Sequence, residues 1–453
     1  MEYEFKIPQY DHQVETFKFA LLHPKCAVLS ETGTGKTSPV VCSIDFRIRA
    51  KQVKKCLYVC PENIKFEIAK EIKKYCNRSV TVLHGTAKKK ALLLKSKSDF
   101  YVINYDSLWP LREELKKRKF DAVICDESTY IKNATAKRSK AVYQISEKSK
   151  VKILVTGTPL TRDALDVFGQ YRFLDRGIFG SLSRFKAEFC QYATAGGFPI
   201  LVGHKNLDVL QDRIHSIAIR FRKDECLDLP DKVFVKRPFR LTGSSEIYEN
   251  LKYNSIAELK TLDVIQAQNI LTKIIKLSQV CSGFLINEER IPIDIGNEKF
   301  NELVDVLEES NLEETKVIIW CKFRHSIESL MRKLQKYGPT SLYGDTTNKQ
   351  EALDKFRNDP TSKILVAQIQ TGFGYTVNEA TIAIYYETTH DLGHWLQSMD
   401  RNHRIGQTSK VTYITLVALN TIEESIYEAL KNKQDLLNQV TKDNIDNIFS
   451  GLV

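Results

Sequence analysis

The run Ser30-Glu31-Thr32-Gly33-Thr34-Gly35-Lys36-Thr37 sets two glycines beside a lysine and a threonine. That combination suits phosphate. Glycines let backbone N–H groups turn inward around phosphate oxygens, Lys36 reaches the β and γ phosphates, and the Thr37 hydroxyl ligates magnesium. The strict pattern has glycine where Ser30 stands. The setting is nonetheless right: the apolar run CAVLS precedes the loop and a helix-like segment begins at about Ser38. A plain glycine turn between strand and helix has no need of the Lys36-Thr37 pair. A second acidic element follows, where the apolar run DAVIC ends in Asp126-Glu127. At the carboxyl end of a strand beside the phosphate loop, Asp126 would hold magnesium and Glu127 would orient and deprotonate an attacking water. A third lies at Gln397-Ser398-Met399-Asp400-Arg401-Asn402-His403-Arg404. On a helix, Arg401 and Arg404 share a face, and an arginine presented to a γ phosphate contributes about 10³ to 10⁵ in rate.

These groups require elements that bring them together. Short apolar runs, CAVLS, CLYVC, SVTVL, FYVI, DAVIC and VKILVT, alternate with helix-like stretches through residue 155. This is the pattern of a parallel sheet covered by helices. Residues 160–225 show no such series and read as helical, interrupted by a glycine-bearing loop from Tyr192 to Lys205. Beyond Asp228 the chain passes through VFVKRPFRL and a long helical stretch, about 244–280. A second series follows: KVIIWC, TSLY, KILVA, TIAIYY and VTYITLVAL. The expected fold class is therefore α/β: two parallel-sheet lobes, 1–228 and 229–453, with helical insertions at about 160–225 and 240–295.

The 453 residues include 67 lysines and arginines against 56 acidic residues, a net charge of +11. That excess suits a polyanionic partner without requiring one. With 42% hydrophobic and 27% charged residues the composition is that of a folded globular chain. No apolar run is long enough to span a bilayer and the start, MEYEFKIPQY, lacks the features of a signal peptide. A cytoplasmic protein, of a bacterial cell or a phage-infected host, is the expectation. The ten cysteines form no CxxC pair and read as buried reduced thiols.

Taken together, SETGTGKT, DEST followed by YIKN, TGTPL at 156–160 and QSMDRNHRIGQ resemble superfamily-two helicase-like ATPases of the Swi/Snf branch. The resemblance implies two RecA-like lobes with an ATP site in the cleft between them, and ATP and magnesium as cofactors. It extends the ATP-binding set to Gln13, which matches an adenine-reading glutamine, and to Gln397. It implies coupling or DNA-facing roles for Pro61 in LYVCPENIK, Asn104 in INYDSL, Thr156, Gly157 and Thr158 in TGTPL, and Thr371, Gly372 and Gly374 in QTGFGYTV. Three departures stand out: Thr129 in place of a histidine, Thr376 in place of an asparagine, and TRDALDVFGQ in place of a QNN pattern. None removes a catalytic group.

The implied partner is DNA, held mainly by its phosphates and without sequence preference. The two lobes are expected to use the whole chain, leaving recognition to DNA shape. The expected task is ATP-driven translocation that remodels forked or branched DNA, by branch migration or limited unwinding, in recombination, repair or replication. The alternative is a Swi/Snf-type ATPase that displaces proteins from duplex DNA. A catalytically silent nucleic-acid scaffold fits less well with a full set of ATPase groups.

Overall fold

Apolar runs flanked by polar helices become strands buried on both faces. In the computed structural model these are β1 (Lys25–Val28), β2 (Cys56–Cys60), β3 (Val80–Val82), β4 (Phe100–Asn104), β5 (Ala122–Asp126) and β6 (Val151–Val155). The structure describes residues 3–161, 163–195, 198–261, 267–371, 375–404 and 406–441. The chain divides into two compact units, the first built mainly on Met1–Asp228 and the second on Leu229–Gln434.

In the first unit the strand order is β3-β4-β2-β5-β6-β1, and all pairings are parallel. Every residue of β2, β4 and β5 is buried, the signature of a sheet covered on both faces. The core gathers Val28, Val40, Ile44, Tyr58, Val102, Ile124 and Val155. Register fixes where the loops leave. Val28 pairs with Val155, and Val155 with Asp126, so the chain exits β1, β6 and β5 along one carboxyl edge. Two strand spacings, roughly 10 Å, separate the first exit from the third.

Residues 160–225 are not wholly helical. Helices Leu165–Leu174, Leu182–Phe189 and Leu207–His215 are there, but the expected loop at Tyr192–Lys205 is an antiparallel hairpin of β7 (Cys190–Ala195) and β8 (Phe198–His204). A short strand, β9 (Ala218–Ile219), then adds to the free side of β1.

The second unit opens with a strand that apolar content alone did not reveal, β10 (Lys232–Phe239). Its alternating exposure is that of an edge strand, so it reads as VFVKRPF rather than as a continuous apolar run. Helices Ser245–Thr261 and Ala267–Cys281 occupy the long helical stretch. A small hairpin, β11 (Phe284–Ile286) with β12 (Pro292–Asp294), ends the segment expected to be helical. Then come β13 (Lys316–Cys321), β14 (Thr340–Leu342), β15 (Ile364–Gln368), β16 (Ala380–Tyr385) and β17 (Val411–Ala418). They pair in parallel, in the order β10-β17-β16-β13-β15-β14. Among the described residues no helix is long and apolar enough to cross a membrane. The cysteines are free thiols, all but Cys226 buried.

Candidate functional site

The phosphate loop joins β1 to the helix Thr37–Arg49, whose unsatisfied N–H groups open onto it. Gly33 and Gly35 take φ of +91° and +78°, a region that side chains disfavour. A Cβ on Gly35 would also lie 2.2 Å from Gln13 Nε2, so the Gln13 amide would have to give up its place against the loop. The loop closes on the Glu31 carbonyl, which accepts from Thr34 Oγ1 at 2.8 Å and from Lys36 Nζ at 3.0 Å. The ammonium group thus rests on an oxygen at the loop itself, the kind of acceptor that a phosphate would supply. Gln13 is held at both ends of its amide: Nε2 donates to the Gly35 carbonyl at 3.2 Å and Oε1 accepts from the Tyr10 amide at 3.1 Å. His12 Nε2 lies 2.8 Å from the Thr34 carbonyl.

Ser30 has a role that glycine could not fill. Its hydroxyl accepts from the Phe221 amide at 3.1 Å. Glu31 is gripped by the same distant segment: its amide donates to the Phe221 carbonyl at 2.9 Å and its carboxylate accepts from the Lys223 amide at 3.0 Å. Arg220 donates to the Leu29 carbonyl at 2.7 Å. Residues beyond β9 therefore brace the loop.

At the end of β5 Asp126 is 8% exposed. Its Oδ1 accepts from the Glu127 amide and its Oδ2 from the Tyr58 hydroxyl, both at 3.0 Å. Burial pushes the Asp126 carboxyl above its usual range, while the Lys36 charge, the Tyr58 hydroxyl and the Glu127 amide pull it down. Glu127 sits at φ +49° in the left-handed region, which costs a residue with a side chain roughly 1 to 2 kcal/mol. The turn is held by its surroundings. The Tyr105 hydroxyl donates to the Asp126 carbonyl at 2.6 Å and the Tyr105 ring stacks on Tyr130.

The third wall is Thr156-Gly157-Thr158. The Thr156 amide donates to the Val28 carbonyl at 3.0 Å, and a Cβ on Gly157 would fall 2.6 Å from Thr32 Oγ1 and 2.9 Å from the Thr32 amide nitrogen. Glycine here lets β6's exit lie against the phosphate loop. Behind it, buried Gln170 accepts from the Ser128 hydroxyl at 2.6 Å and donates to the carbonyls of Pro159 at 2.6 Å and Asp166 at 2.8 Å. One side chain thereby ties the turn after the acidic pair to the segment after β6.

The first unit thus brings together Gln13, Ser30, Glu31, Thr32, Gly33, Thr34, Gly35, Lys36, Thr37, Asp126, Glu127, Thr156, Gly157 and Thr158 on one side of its sheet. Pro61 and Asn104 leave β2 and β4 along the same edge. Near them Lys90 donates to the Ser107 hydroxyl at 2.5 Å, and that hydroxyl donates to Asn104 Oδ1 at 2.5 Å. Lys90 therefore turns inward, while Lys88 and Lys89 are exposed.

In the second unit the helix Leu392–Met399 carries Gln397 and ends before both arginines, which stand in the turns beyond it rather than on one helical face. Arg401 is 8% exposed; it donates to the Gln397 carbonyl at 3.1 Å and to the Tyr375 carbonyl at 3.2 Å. Arg404 donates to Thr376 Oγ1 at 2.8 Å. Both therefore hold the chain just past QTGFG. Thr371 ends the short turn Ile369–Thr371, while Gly372 and Gly374 lie outside the described residues. His403 Nε2 lies 2.7 Å from the Pro230 carbonyl, and Trp395 is buried.

The family model of the SNF2-related domain matches residues 21–283, and that of the helicase conserved C-terminal domain matches residues 298–406. The chain belongs to the SNF2-related family. Its two parallel sheets are the RecA-like lobes expected from the sequence of an SNF2-related protein. Among curated relatives, an uncharacterized ATP-dependent helicase of Mycoplasma genitalium is 24% identical over 93% of this chain and 40% of its own. The DNA annealing helicase and endonuclease ZRANB3 of Bos taurus is 27% identical over 93% of this chain and 39% of its own. The SNF2-related chain therefore spans about 40% of the length of these relatives. A solved Sulfolobus solfataricus SWI2/SNF2 ATPase core in complex with dsDNA is similar at 24% identity and a TM-score of 0.47, covering 100% of this chain and 97% of that one.

Sequence reasoning missed Tyr58, Gln170 and the Arg220–Lys223 brace. A tyrosine in the middle of CLYVC was a signal for the first. For the brace there was none, because its bonds span about 190 residues.

Proposed function

We propose that this chain is an ATP-dependent DNA translocase that remodels forked or branched DNA. The observation that carries the ATPase part is the convergence, at one sheet edge, of a closed phosphate loop with a buried carboxylate that feels the Lys36 charge. In this reading Lys36 binds the β and γ phosphates, Gln13 orients adenine, and Gln397 completes the nucleotide set. Glu127, which follows the strand in a left-handed turn, accepts a proton from the attacking water. Thr37 and Asp126 are the residues that would hold magnesium: a hydroxyl and a carboxylate are the oxygen donors this ion takes, and the buried Asp126 carboxylate feels the charge of the phosphate loop's own lysine. Bound there, magnesium would neutralise charge on the phosphates. Arg401 and Arg404 supply positive charge to the γ phosphate in this reading, and they are held meanwhile by Tyr375 and Thr376.

DNA as the polyanion is supported by the +11 charge and by the cluster of Lys90, Ser107 and Asn104 beside Pro61. The printed activity of ZRANB3, DNA annealing, supports branched substrates. The test is ATP turnover on single-stranded, linear duplex, forked and four-way DNA of equal length. Turnover should be greatest on forked and four-way DNA. Equal stimulation by linear duplex would instead favour the displacement of bound proteins, and no stimulation by any DNA would remove the motor reading.

A further inference from the structure

β2 is buried along its whole length, so any polar atom inside it needs a partner. Tyr58 lies at its centre with 0% exposure, and its hydroxyl donates to Asp126 Oδ2 at 3.0 Å. Register explains the reach: Tyr58 pairs with Ile124, two residues before Asp126, on the adjoining strand. The phenol lies near Thr37, at the start of the phosphate-loop helix. Burial pushes the phenol's pKa well up, so it stays a neutral donor. A phenylalanine would fill the same space, and packing alone does not call for a hydroxyl in an apolar strand.

We propose that Tyr58 is a positioning residue of the magnesium site, its hydroxyl fixing the orientation of the Asp126 carboxylate before the ion binds. A neutral phenol orients the carboxylate without offering a rival positive charge. Groups bonded to a ligand in this manner commonly govern metal affinity. The inference rests on the reading of Thr37 and Asp126 as magnesium-holding residues, and the experiment separates the two.

ATP affinity is measured by calorimetry in EDTA and across a magnesium titration, on the full chain and on Tyr58→Phe, with circular dichroism and melting temperature recorded for both. In Tyr58→Phe the magnesium concentration for half-maximal tightening should rise about tenfold, the worth of one hydrogen bond to a charged group. Affinity in EDTA should stay within about twofold of the unsubstituted chain. An unchanged magnesium midpoint overturns the inference, and so does an equal loss of affinity with and without magnesium, which is the mark of a purely structural tyrosine. If the unsubstituted chain binds ATP with no magnesium dependence, the assignment of Thr37 and Asp126 fails and the inference with it. Should Tyr58→Phe melt early, Tyr58→Met serves as a second variant that also fills the space without a hydroxyl, judged on the same two affinities.

Discussion

At the scale of single residues, the site depends on charges that are held before any ligand arrives. Lys36 rests on the Glu31 carbonyl and the Asp126 carboxylate is fixed by two donors. Lys36→Ala and Glu127→Gln should each reduce DNA-stimulated ATP turnover by at least about 100-fold, with an unchanged far-ultraviolet circular dichroism spectrum. Near-normal turnover in either variant would remove these roles. For Arg404→Ala, kcat should fall about 10³-fold while ATP affinity changes less than about threefold, because a group acting on charge developed during reaction contributes little to ground-state binding. Equal losses in both would make Arg404 a binding residue. The meeting of Lys36, Asp126 and Glu127 at one sheet edge was legible from residue type and spacing, since each sits in a short contiguous run after an apolar strand. Tyr58 and Gln170 were not. Their partners stand 68 and 42 residues away, so the bonds could not be read locally, although a tyrosine inside the apolar run CLYVC marks a polar group that needs a partner.

At the scale of elements, parallel strands such as CLYVC and DAVIC were legible because both faces are buried and every residue is apolar or nearly so. β10 escaped notice because it is an edge strand whose exposed positions are Val233, Val235 and Pro238, so its apolar residues do not mark a buried face and its lysines and arginine break the apolar run. The β7–β8 hairpin escaped because its glycines and polar residues read as a loop. Close approach between elements can be tested directly. Gly157→Ala puts a carbon into the Thr32 backbone, so the phosphate loop must give way. We expect at least about tenfold weaker ATP binding, with a melting temperature lowered by only a few degrees. Unchanged nucleotide affinity would show that the loop shifts freely.

At the scale of the whole molecule, the basic excess belongs to the first unit: residues 1–228 hold 41 lysines and arginines against 26 acidic residues, whereas residues 229–453 hold 26 against 30, which suits phosphate contacts made mainly by the first unit. Affinity for duplex DNA should fall steeply and linearly in log–log form with salt, with a slope of about −0.9 for each phosphate contacted. A flat response, measured by fluorescence anisotropy between about 50 and 200 mM salt, would argue against backbone-dominated binding.

The brace on the phosphate loop bears on synthesis as well. Ser30 and Glu31 obtain their partners only when Phe221 and Lys223 have been added. At about 5 to 20 residues per second, a growing chain carries an unbraced loop for roughly 10 to 40 seconds. A chain stopped before β9 would contain every residue of the loop and lack this brace, so the fully braced loop forms only after residues 220–223 have been added.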